Sequence, residues 1–143
     1  MEPTTTRSSE AGVATLETAL TLPLLLGAIW AVISFGLVFT VDHTLSAAAS
    51  DGARAAVGVS DEAAAVAAAH AAATDRLDSA LGTFAPDAVV ATPTVTDCVA
   101  PAGARCITVT VTYPWGTAPI VPDLFAVVTP DELLATSTVQ LSQ

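Results

Sequence analysis

Residues 12–41 read G-V-A-T-L-E-T-A-L-T-L-P-L-L-L-G-A-I-W-A-V-I-S-F-G-L-V-F-T-V, and from Thr18 to Val41 no side chain is charged. At about 1.5 Å of rise per residue, Thr18 to Val41 makes a helix of about 36 Å. A bilayer's hydrocarbon core is about 30 Å thick, so the segment is long enough to cross one with some tilt. The single acid within the stretch, Glu17, lies five residues after Gly12. This pairing of a small residue and an acid at the mouth of an apolar helix is the most informative pattern in the chain.

Before the stretch, residues 1–12 (M-E-P-T-T-T-R-S-S-E-A-G) are polar and turn-forming and read as a short leader with little to bury. Arg7 is their one basic residue, and no lysine or arginine follows until Arg54. That bias favours a cytoplasmic N-terminus. Within the span, Pro23 removes one backbone hydrogen bond, while Gly27 and Gly36 offer smooth patches for a neighbouring helix.

After the stretch, Asp42 to Val57 lacks proline and is rich in alanine, so the helix is expected to continue out of the apolar run and stop at Gly58. Ser60, followed by Asp61 and Glu62, suits an N-cap with acids at the positive end of a second helix. That helix is expected to reach Leu81 and end at Gly82, with Val66, His70, Ala73, Leu77 and Leu81 on one stripe. The period then changes from helical to alternating. In C-I-T-V-T-V-T-Y (106–113), Ile107, Val109, Val111 and Tyr113 fall on one face and threonines on the other, a half-buried strand. Ala88 to Thr96 reads as its antiparallel partner, and Pro93 confines that partner to an edge. A long irregular stretch, 114–133, with a short helical turn near Asp123 to Val127, leads to a third strand at Leu134 to Leu141. The expected fold is α+β: a single N-terminal transmembrane helix running into a domain with a second helix and a three-stranded antiparallel sheet.

The chain's 143 residues leave room for one modest domain beyond the apolar helix, and a mean hydropathy of +0.65 owes much to alanine. Of 14 acids, Glu2, Glu10 and Glu17 precede Val41, leaving 11 beyond it against three arginines, a formal balance of −8. Such a surface repels nucleic acid and anionic lipid headgroups, which excludes a nucleic-acid partner. Cys98 and Cys106 flank the turn-forming V-A-P-A-G-A-R and fit a disulfide in an oxidising compartment; two buried free thiols are the alternative. No zinc site is expected, since His43 and His70 lack the close Cys/His spacing of a tetrahedral centre. There is no G-x-S-x-G, no phosphate loop and no nucleophile–base set. Asp75/Asp78 and Asp131/Glu132 are carboxylate pairs of the kind that mark a solvated helix face or a helix start. The chain is read as a non-enzyme without cofactor, metal or small-molecule substrate.

A secretory signal peptide has an apolar core of about 7–15 residues, shorter than the run here. A peptidase on the cytoplasmic face that cuts before the helix, leaving the helix on the product, fits better. A cut after Gly12 makes Val13 position one and Glu17 position five. With G-V-A-T-L-E at 12–17, A-L-T-L-P-L-L-L at 19–26, Phe35-Gly36, D-G-A-R-A-A at 51–56 and Tyr113-Pro114-Trp115, the chain resembles the prepilins, and more closely the TadE-like minor pilins of tight-adherence (Flp-type) pili. The resemblance is densest over residues 12–56.

The resemblance implies a leader at 1–12, a transmembrane helix at 13–41 and a small extracytoplasmic domain at 42–143. It implies processing between Gly12 and Val13 by a prepilin peptidase. It also implies that Glu17 pairs with the first-residue amine of a neighbouring subunit, with other pilins and the membrane assembly machinery as partners. Three features depart from the pattern. Val13 replaces the aromatic or methionine common at position one, Thr18 replaces the tyrosine or phenylalanine after the glutamate, and the distal domain is unlike the short major Flp pilin. They point to a minor, assembly-related subunit. Two readings from other classes stay open: a membrane-anchored binding domain unrelated to pili, in which Glu17 snorkels without a partner, and a secreted protein cut near Ala49.

Overall fold

The computed structural model describes residues 7–83, 88–100, 103–120 and 130–141. The expected turn at Asp123 to Val127 and the first six residues lie outside these. The elements run α1 (Arg7–Ala56), α2 (Glu62–Leu81), β1 (Val90–Asp97), β2 (Arg105–Tyr113) and β3 (Leu133–Gln140), the α+β architecture expected from the sequence. The chain divides into two compact units, Met1–Leu37 and Val38–Gln143.

The first unit is the apolar part of α1. The helix begins at Arg7, so the last residues of the segment expected as a leader are helical, and it is assigned without interruption through Pro23. R-S-S-E-A-G contains no proline and no β-branched residue, so it can join the helix that follows, with Gly12 its weakest position. Leu16, Leu20, Leu24 and Val32 are each more than 70% exposed. A helix that presents leucines outward at this density has its hydrophobic surface still to bury. It is long and apolar enough to cross a membrane, with a mean hydropathy of 2.4 over its most apolar window.

The second unit has a core built from alternating patterns. The α1 residues Val41, Leu45, Ala48, Ala49, Ala53 and Ala56 recur at three- and four-residue steps and are buried. α1 ends at Ala56, and Gly58 turns the chain at φ 89°, a conformation glycine adopts without a Cβ penalty. The N-cap of α2 is Asp61, one residue later than expected, and its carboxylate accepts from the Ala64 amide at 2.8 Å. Ala65, Ala69, Ala73, Leu77 and Leu81 form the buried stripe. The C-terminal half of that stripe agrees with the expectation. In the first half, Ala65 and Ala69 take the places expected for Val66 and His70, and His70 is exposed. The reason is steric at Ala69 and Ala73, where Gly52 of α1 comes so close that a Cβ on it would lie 2.8 and 3.1 Å from them.

The sheet order is β1-β2-β3, antiparallel at both pairings. The expected faces hold, with Ile107, Val109, Val111 and Tyr113 fully buried. Pro93 sits on the edge strand β1 opposite Val109.

Candidate functional site

Gly12, Val13 and Glu17 occupy consecutive turns of α1. Space around Gly12 is open, with no atom within 4 Å of where a Cβ would sit. Val13 and Glu17 are four residues apart and so share a helix face, and helical side chains lean back toward the N-terminus. The Glu17 carboxylate is therefore carried toward the turn that contains Val13. Thr18 and Thr21 donate their hydroxyls back to the carbonyls of Ala14 and Glu17, each at 2.9 Å, so these polar side chains spend their hydrogen bonds within the helix. Glu17 is exposed, and the ion pairs among the described residues do not include it.

Farther along α1, the D-G-A-R-A-A segment is a packing junction. A Cβ on Gly52 would lie 2.8 Å from the Ala69 carbonyl oxygen, 3.1 Å from Ala73 Cβ and 3.3 Å from Val109 Cγ1. Only glycine lets α1, α2 and β2 approach this closely. Asp51 beside it pairs with Arg76 of α2 at 3.8 Å, an exposed and long contact that contributes little. The sequence reading missed the role of Gly52. Its signal was present in the small residues Ala48, Gly52 and Ala56 at four-residue spacing.

Cys98 and Cys106 are disulfide-bonded, their Cα atoms 5.1 Å apart. The bridge closes the β1–β2 hairpin, where the Cys98 amide also donates to the Ala104 carbonyl at 2.9 Å. A loop of this length contributes about 2.5 kcal/mol in the chain-entropy account. Next to the bridge, Arg105 donates to Asp97 at 2.8 Å and to both carboxylate oxygens of Glu62, at 3.0 and 3.2 Å. It thereby ties the hairpin to the first turn of α2. These hydrogen bonds to Asp97 and Glu62 raise the guanidinium above its ordinary value, and it stays charged at every working pH.

The Tyr113-Pro114-Trp115 corner follows β2. The Tyr113 hydroxyl donates to the Ala118 carbonyl, and its ring meets Trp115 edge-on at 5.8 Å. Trp115 is buried, and the next amide, Gly116, donates to the Asp131 carbonyl at 2.8 Å. Desolvation pushes the Tyr113 hydroxyl above its usual range. The motif is an anchor for the approach to β3.

A groove of about 210 Å³ lies between α2 and β1, lined among others by His70, Thr74, Leu77, Asp78, Leu81 and Val90. Within it the Thr74 hydroxyl donates to the His70 backbone carbonyl at 2.8 Å. Among the described residues no cluster of three or more His, Cys, Asp or Glu is placed to hold a metal ion, and no charged side chain is buried.

No curated protein and no solved structure matches the chain. Residues 12–54 match the family described as TadE-like protein, which is associated with Tad pili. The matched segment starts at Gly12, passes through Glu17 and the apolar run, and ends just past Gly52, so it takes in both the acid at the helix mouth and the packing junction. Over residues 12–54, about the first third of the chain, the sequence is similar to that family.

Proposed function

We propose that the chain is a minor pilin or pseudopilin of a tight-adherence pilus. In this reading a prepilin peptidase cuts between Gly12 and Val13. The N-terminus is cytoplasmic, α1 holds the chain in the membrane, and the disulfide-bonded domain is extracytoplasmic. Its partners are other pilin subunits and the membrane assembly machinery, and it acts in assembly, adhesion or secretion without catalysing a reaction.

The observation that carries the reading is Glu17, an exposed carboxylate on a helix whose neighbouring Leu16 and Leu20 are themselves exposed. A charge at the centre of a membrane helix costs about 2.5–3.5 kcal/mol, and less near the interface. Cleavage after Gly12 creates an ammonium on Val13, one turn from Glu17 on the same face. When apolar helices of two subunits meet, the carboxylate of one can neutralise the amine of the other. Gly12 also suits the cut, because a protease needs extended backbone. Glycine weakens a helix interior by about 1 kcal/mol relative to alanine and so makes local unwinding easier.

Glu17→Gln tests this pairing. Losing one partner of a buried, hydrogen-bonded charge pair costs about 2–5 kcal/mol. The variant should be inserted and cleaved, yet fail to crosslink to neighbouring pilins or support surface pili in cells without the wild-type copy. Wild-type piliation and crosslinking would favour a plain membrane anchor, for which removing the charge is harmless.

A further inference from the structure

The outer face of the sheet is a field of threonines. The register aligns Thr92 with Thr110 and Thr136, and Thr94 with Thr108 and Thr138. In a chain of formal charge −10, the strand residues on this face carry no charge; Asp97, at the end of β1, belongs to the opposite face and is held by Arg105. Some hydroxyls are engaged: Thr94 donates to the Thr108 carbonyl at 3.3 Å, and the Thr108 and Thr138 hydroxyls share a hydrogen bond of 2.8 Å. Thr92 and Thr96 on β1 are exposed, and their hydroxyls have no partner among the described residues.

β1 is also an edge strand. Open edges invite pairing with other chains and are commonly guarded by lysine or proline. All four basic residues of this chain are arginines, and none lies within β1. The strand's one guard is Pro93, set between Thr92 and Thr94 in the sequence A-T-P-T-V-T. Exposed threonines interspersed with proline on an uncharged surface are the composition of O-glycosylated stalks.

We propose that Thr92 and Thr96 are O-glycosylation acceptors, and that the sugars they carry cover the β1 edge. The donor is a sugar whose anomeric carbon bears a phosphate leaving group. The threonine Oγ1 attacks that carbon as its proton passes to a base of the transferase. The carbon–oxygen bond to phosphate breaks, and the phosphate leaves with the electron pair. The inference goes beyond the pilus reading and needs only that the domain meets a glycosyltransferase.

The test uses the full chain extracted from its own cells, whether or not pili are present. With no lysine in the chain, trypsin cuts after Arg76 and Arg105, and once the Cys98–Cys106 bridge is reduced and alkylated it releases 77–105, which holds all of β1, separately from 106–143. Peptide 77–105 should carry mass increments of whole sugar residues, and electron-transfer fragmentation should place them on Thr92 and Thr96. Thr92→Val together with Thr96→Val keeps side-chain shape and strand propensity and should abolish the increments, while Thr136→Val should leave them in place. An unmodified wild-type 77–105, or sugar found only at Thr83, Thr94 or in 106–143, overturns the proposal. Because fragmentation of the wild-type peptide locates the sugar by itself, the outcome does not depend on the double variant folding.

Discussion

Tyr113 is the one tyrosine in the chain, so its ionisation can be followed without interference. Burial raises its hydroxyl above the usual value of about 10. The folded chain therefore holds this proton more tightly than the unfolded chain does. The stability linked to it is fully present below the unfolded value and is lost as pH rises through the folded one. A tyrosinate absorbance titration should have its midpoint above about pH 10 in the folded protein and move down to the ordinary value in denaturant. Melting temperature should fall over the same alkaline window, and Tyr113→Phe should flatten that part of the profile. An unshifted midpoint in the folded protein would contradict a desolvated hydroxyl at the Trp115 corner. At this scale Glu17 stands out in the sequence as a candidate, because it is a lone acid against an uncharged run. The anchoring role of Trp115 was not, since an aromatic after a strand is equally at home at a surface.

Among the elements, the α1–α2–β2 junction decides the shape of the second unit, and Gly52 is its gauge. Alanine in place of glycine ordinarily favours a helix interior by about 1 kcal/mol. Overpacking a close contact costs about 1–3 kcal/mol. The clash should win here, because the nearest atom, 2.8 Å from the new Cβ, is the Ala69 backbone oxygen, which cannot swing aside as a side chain could. Gly52→Ala should lower stability by about 1 kcal/mol in denaturant titration, and Gly52→Val by more. A Gly52→Ala variant as stable as the parent would rule out the close approach. The same junction explains where sequence reading succeeded and where it slipped. The strands were legible because threonine and β-branched apolar residues contrast at every step of T-V-T-V-T. In E-A-A-A-V-A-A-A-H, alanine fills most positions, so periodicity does not mark a face. Choosing the larger residues, Val66 and His70, put the stripe one position away from the Ala65 and Ala69 that are buried. The shift of the cap from Ser60 to Asp61 has a similar origin: two residues able to cap stand side by side, and only geometry shows which one reaches the Ala64 amide.

For the whole molecule, the account joins an apolar helix with a mostly exposed surface to an acidic, disulfide-bonded α+β domain. The acids suit a domain that keeps away from anionic headgroups, and the threonine face of the sheet carries none of them among its strand residues. Three readings of such a chain differ in where the mature protein begins. A membrane anchor keeps residue 1, a secreted domain begins near Ala49, and a pilin begins at Val13. The most direct measurement is N-terminal sequencing of the protein purified from its own membranes, with a Gly12→Leu variant alongside. The account predicts V-A-T-L-E as the wild-type N-terminus and an uncut chain for Gly12→Leu. A wild-type chain that retains residues 1–12, or begins near Ala49, would contradict it, as would normal processing of Gly12→Leu.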